Sequence, residues 1–266
     1  MRFFFWMFII ALVSMTGAFL LQPGGGYLHF PFGGFSWLVM SLVILAAAWR
    51  LYFKKADRKE LGTQVKTFAL SLACFAAFLF IMFLPHIPLF FTHNDHGFFS
   101  EQMNLAYILG HIFLYLSLAV FVRVPLSMTH PKYMMPGMVF FLILGAVTTI
   151  INFILPNAPE FHHASGLTLL GVDPLVGKLV AINVALAWVP AGAYFIWSGI
   201  TALNTFVKRR GLLLGSGLLV ATIGGPLHDI VASAPMFLTA DLVTILGNLM
   251  VAAGIFMSPS LEDSRS

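Results

Sequence analysis

The stretch GLLLGSGLLVATIGGPLHDIVASA, residues 211–234, decides how the whole chain is read. As a helix it is about 36 Å long at 1.5 Å per residue, enough to cross a hydrocarbon core of about 30 Å. Its first half is Leu, Gly, Val and Ala, with one Ser and one Thr. Gly224-Gly225-Pro226 then interrupts the run and is followed by His228-Asp229. A helix facing lipid all round has no use for that pair, because an ionisable side chain in hydrocarbon is costly and turns toward the bundle interior or a watery cavity. The stretch predicts a membrane-spanning helix with one face near its end reserved for something other than lipid.

The rest of the chain has the same character. Of 266 residues 59% are hydrophobic and 9% charged, against about 25% charged in a soluble domain. Mean hydropathy is +0.93. Apolar runs on the order of 20 residues fall at 3–21, 35–53, 66–91, 102–124, 133–155, 176–203, 211–234 and 242–256. They predict an all-α, polytopic transmembrane bundle of eight helices forming one domain, 1–257, followed by a flexible cytoplasmic tail, 258–266. A transmembrane β-barrel would show short alternating segments instead. Arg2, the apolar run after it and Thr16–Ala18 partly resemble a cleavable signal peptide, which would leave seven helices. The run continues to Leu21, beyond a usual signal core, so the first helix is expected to be retained. A seven-helix photoreceptor needs a lysine in its last helix for retinal, and 240–256 contains none.

Basic residues set the orientation. Lys54, Lys55, Arg58, Lys59 and Lys66 flank one connection, Arg123 and Lys132 another, and Lys208, Arg209 and Arg210 a third, while the alternate connections carry little beyond Lys178. Loops rich in Lys and Arg stay in the cytoplasm, which places both termini inside an inner (plasma) membrane of bacterial type. The formal charge of +4 and pI of about 9.3 follow from these flanks. The expected partners are the lipid bilayer and other membrane subunits, not nucleic acid. Cys74, the only cysteine, excludes an intrachain disulfide.

With that topology the polar residues fall on one side. His29, His86, His93, His96, His162, His163 and His228 occupy outer loops or outer helix ends, with His111 deeper and His130 cytoplasmic. An outward-facing polar pocket is predicted, lined by His86, Asn104, His111, Asn152, Asn183, His228, Asp229 and Asp241. Gly-Gly-Pro is expected to kink or break its helix, leaving backbone groups that persist only in protein or beside a cavity. A second short helix beginning at Pro226 would set Asp229 near its positive end. A kink serving packing alone, or a His–Asp hydrogen bond to a neighbouring helix, explains the same residues without a ligand.

For metals, His93 and His96 with Asp95, and His162 with His163, offer borderline ligands for zinc or copper, but their spacing matches no strong signature and a solvated loop is the simpler reading. His86 and His228 are the one pair at suitable depth for the axial positions of haem b, with His111 a deeper third candidate for haem or copper. A hydrolytic relay is weaker: His228 and Asp229 point about 100° apart on a helix, and neither Ser198 nor Ser233 sits in a nucleophile elbow. The gross layout is similar to multi-helix membrane input domains of bacterial sensors, an analogy of architecture that does not establish function. The expected role is therefore a sensor-like or complex-assembly subunit binding a small ligand or ion. The alternatives are a haem- or copper-binding redox protein, or a proton-coupled carrier in which Asp229 and Asp241 titrate. The lack of an internal repeat counts against a carrier built from duplicated halves.

Overall fold

A computed structural model describes residues 32–53, 59–88, 96–162, 167–230 and 234–257. The expected first span, 3–21, and the tail, 258–266, lie outside the described residues, as do His29, His93, Asp95, His163 and Ser233 and the side chains of His96 and His162. The helices are α1 (Phe32–Tyr52), α2 (Lys59–Phe83), α3 (His96–Phe121), the short α4 (Arg123–Thr129), α5 (Met134–Ile154), α6 (Pro174–Thr201), α7 (Thr205–Ile230) and α8 (Ala234–Phe256). All except α4 supply a segment long and apolar enough to cross a membrane. The protein is a multi-pass membrane helix bundle.

Each long helix packs on its neighbour in the order α1, α2, α3, α5, α6, α7, α8, and α8 returns to α1, so seven helices close a ring. Because consecutive helices alternate in direction, Arg50, Lys66, Arg123, Lys132 and Arg210 all come to one end of it. At that end Arg50 reaches from α1 to the carbonyl of Phe256, 3.3 Å away at the terminus of α8. Trp49, Ile143, Phe153, Trp197 and Ile223, each more than half exposed, face outward, where lipid covers what would be an aggregating surface in water.

Lipid gives no hydrophobic drive to helix pairing, so close backbone approach through small residues takes its place. Helix α7 carries two such faces. A Cβ added at Gly215 would lie 2.5 Å from the Gly192 carbonyl of α6, and one added at Gly217 would lie 2.8 Å from the Gly247 carbonyl of α8. These contacts hold α6, α7 and α8 as one slab.

Two expectations change. Helix α7 runs unbroken through Gly-Gly-Pro to Ile230, with Pro226 inside it and no second helix beginning there. The missing N–H costs only the bond to the Thr222 carbonyl, near the helix end. Helix α6 likewise contains Pro190 without interruption. Proline survives in membrane helices where neighbours and side chains answer the freed backbone groups.

The connection read as a loop is partly a β-hairpin, β1 (Glu160–His162) against β2 (Leu167–Leu169), with Phe161 opposite Thr168. Gly171 closes its base at φ +53°, where a Cβ would strike the Ala158 carbonyl. The hairpin covers the ring at the end away from the basic residues: Phe161 stacks edge-on with Phe99 at 5.7 Å, and the Asn157 N–H donates to Asn104 Oδ1 at 3.1 Å. Asp173 caps α6 by accepting from the Leu175 N–H at 2.8 Å, with Pro174 opening the helix.

Candidate ligand-binding cavity

A cavity lies inside the ring beneath the hairpin, with about 70 Å³ available to the centres of water molecules. That is about half of the ~150 Å³ cavity that takes up a benzene, and it suits a few waters or a molecule of only a few heavy atoms. Its walls are largely apolar and aromatic, including Trp37, Phe75, Phe78, Leu114, Val184 and Trp188, and Leu170 of the hairpin reaches its edge. The polar groups that line it are Tyr107 and His111 from α3, His228 and Asp229 from α7, and Thr244 and Asn248 from α8.

Local helix geometry aims each of these side chains. Tyr107 and His111 are four residues apart and share a face of α3; their rings lie 3.9 Å apart. His111 Nδ1 donates to the Tyr107 carbonyl at 2.7 Å, which leaves Nε2 as a bare acceptor with no partner among the described residues. The Tyr107 hydroxyl donates to Asp229 Oδ1 at 3.0 Å, tying α3 to α7. On α8, Asp241, Thr244 and Asn248 follow an i, i+3, i+7 pattern along one stripe. Thr244 Oγ1 and Asn248 Nδ2 are buried without a hydrogen-bond partner, and such groups rarely stay unanswered in a native protein.

Behind the cavity wall sits a polar brace. His228 Nε2 lies 2.7 Å from Asp241 Oδ1, His228 Nδ1 lies 3.0 Å from the Gly224 carbonyl, and Ser36 Oγ donates to Asp241 Oδ2 at 3.1 Å. Both ring nitrogens face acceptors, so His228 and Asp241 together hold one proton more than a neutral imidazole beside a carboxylate. The pair is then neutral overall, which suits its depth. It links α7, α8 and α1, the place where the ring closes.

The residues marked from sequence divide by position. His111, His228 and Asp229 line the cavity, and Asp241 stands one shell behind His228. Asn183 lies away from it, donating to Thr148 Oγ1 at 3.0 Å and so joining α6 to α5. Asn152 is buried on α5, and Asn104 anchors the hairpin base. His86, fully buried, belongs to the lid: Thr168 Oγ1 is 2.8 Å from its Nε2, its Nδ1 donates to the Phe83 carbonyl at 3.2 Å, and Trp37 packs edge-on at 5.3 Å.

These bonds also bear on haem, copper and hydrolysis. An axial ligand needs a free imidazole nitrogen, and in both His86 and His228 the two nitrogens are engaged. His111 offers one. Among the described residues no three His, Cys, Asp or Glu side chains gather as a metal would require. The hydroxyl bonded to the histidine–aspartate pair among the described residues, that of Ser36, meets the carboxylate and not the imidazole, the wrong order for nucleophile activation. Ser198 lies near the end of α6 at the basic side, whereas His228 is near the opposite end of α7.

No known protein family, curated protein or solved structure matches the chain. The cavity's own chemistry therefore carries the functional argument.

Tyr107, Thr244, Asn248 and Ser36 were not marked from sequence. Thr244 and Asn248 did carry a signal, since with Asp241 they form a polar stripe on an otherwise apolar helix. Tyr107 and Ser36 carried none beyond their residue type.

The lid gives one expected outcome. Thr168→Val removes the side-chain partner that His86 Nε2 has among the described residues, and an orphaned buried acceptor costs about 1–3 kcal/mol. The hairpin is expected to undock before the bundle melts, seen as faster proteolysis between residues 157 and 172 with an unchanged helical signal. A cleavage rate equal to that of the parent would show that this bond does not hold the lid.

Proposed function

We propose that the protein is a sensor-like or complex-assembly subunit of an inner (plasma) membrane that binds a small ligand in the cavity inside its helix ring. In this reading the first span, 3–21, is retained as an eighth helix, and both termini and the basic connections face the cytoplasm. The lidded end of the ring then faces outward. One observation carries the proposal: polar side chains from three helices, among them Tyr107, His111, Asp229 and Asn248, line one aromatic-walled cavity. A binding site is concave, mostly apolar and supplied with a few convergent polar groups.

Val184 lies on the cavity wall, 4% exposed, so Val184→Phe fills the space without removing any polar group. Native mass spectrometry of the protein released from its own membrane is expected to show a bound small molecule in the parent and at least a tenfold lower occupancy in Val184→Phe. Equal occupancy in the two would place any bound molecule elsewhere and defeat the proposal.

A further inference from the structure

The charges around the cavity narrow the class of ligand. Among its lining residues Asp229 is the only acid, and no Lys or Arg is present. The one imidazolium, His228, is shared between two carboxylates, Asp241 at 2.7 Å and its chain neighbour Asp229, which leaves the three groups one positive charge short. Lys178, one residue beyond the Gly177 that Asp229 touches, is exposed, and no ion pair joins the two. One oxygen of Asp229 accepts from Tyr107, and the other has no partner among the described residues. His111 Nε2 is a second open acceptor. Trp37, Phe75, Phe78, Tyr107 and Trp188 surround these acceptors, and the faces of aromatic rings attract cations.

We propose, on the reading that the cavity is a ligand site, that it takes a small organic cation: a protonated amine on a compact apolar body, its ammonium seated on Asp229. An ammonium carries donors only, so it can serve Asp229 and His111 Nε2 together. Its charge-assisted bond to a carboxylate is about twice as strong as a neutral one. An anion would meet a like charge in a dry site, and beside a neutral ligand the carboxyl would keep its proton and hold no charge for the ligand to answer.

The test uses the full chain in nanodiscs of zwitterionic lipid, with tryptophan fluorescence, Trp37 and Trp188 lining the cavity, as readout and three small probes of one shape: propylamine, propanol and propionate. Propylamine is expected to bind saturably and at least tenfold more tightly than propanol, with propionate weakest. Asp229→Asn keeps an acceptor for Tyr107 and is expected to weaken propylamine tenfold while leaving the alcohol within twofold. If alcohol and amine bind equally, and both are lost in Val184→Phe, the cavity remains a ligand site and the cation assignment falls. Unchanged amine binding in Asp229→Asn also overturns that assignment. Saturable binding of none of the three overturns both proposals.

Discussion

Asp241→Leu is expected to be the most destabilising polar substitution in the protein. Asp241 is 2% exposed, and its two oxygens serve two different helices, with His228 of α7 at 2.7 Å and Ser36 of α1 at 3.1 Å. Leucine strands both partners in the bundle interior. Removing one member of a buried charged pair costs about 3–5 kcal/mol, a large part of a total stability on the order of 5–15 kcal/mol. An ordinary interhelical hydrogen bond in a membrane averages only about 0.6 kcal/mol, so the two cases separate cleanly. The double variant His228→Phe with Asp241→Leu removes both members, and it is expected to be more stable than Asp241→Leu alone. Unfolding midpoints in mixed detergent measure all three proteins. A cost for Asp241→Leu below about 1 kcal/mol would show that the pair is a routine contact and not the brace that closes the ring.

The same ring shows what is legible in one dimension. Length and hydropathy placed seven of the spans, because crossing hydrocarbon imposes a minimum apolar length whatever the packing. The course of α7 through Gly224-Gly225-Pro226 was not legible. Whether proline breaks a helix depends on what answers the freed backbone groups, and that is settled by tertiary neighbours. The hairpin at Glu160–Leu169 has strands of three residues each, too short for alternation to register against a proline-rich background.

For the cavity, the bias of His, Asp and Asn toward one end was readable, but which of them share a chamber depends on helix rotation. His86 and His228 have similar sequence credentials. One is held by the lid, packed between Trp37 and Phe99, and the other braces α7 to α8. Asn183 and Asn248 also look alike on paper. The amide nitrogen of the first finds Thr148 on α5 while its Oδ1 stays unpaired, and the amide nitrogen of the second is unpaired on a residue that lines the cavity. The stripe Asp241, Thr244, Asn248 was the readable clue to the cavity wall, and it needs only the period of a helix to be seen.

Gly247→Leu is expected to have the other large effect. A Cβ at Gly247 would lie 2.5 Å from the Ala221 backbone nitrogen and 2.8 Å from its Cα. Backbone cannot swing aside as a side chain does, so α7 and α8 must separate. Overpacking of side chains alone costs about 1–3 kcal/mol, and here the separation would also pull His228 from Asp241. The variant is expected to lose its monodisperse peak in size-exclusion chromatography and its cooperative melt. Gly225 is the matched control, because a Cβ there meets nothing within 4 Å. Gly225→Ala should therefore stay within about 0.5 kcal/mol of the parent, as surface changes usually do. Equal tolerance of both substitutions would mean that α7 and α8 are not packed through their glycines.

The most direct test of the central claim is an experimental density map of the full chain in lipid, inspected between α3, α7 and α8. The predicted result is an open chamber holding non-protein density within hydrogen-bond reach of Asp229 and His111 Nε2. A collapsed interior, with Trp37 against Trp188 and the Asn248 amide paired to a protein neighbour, would contradict it.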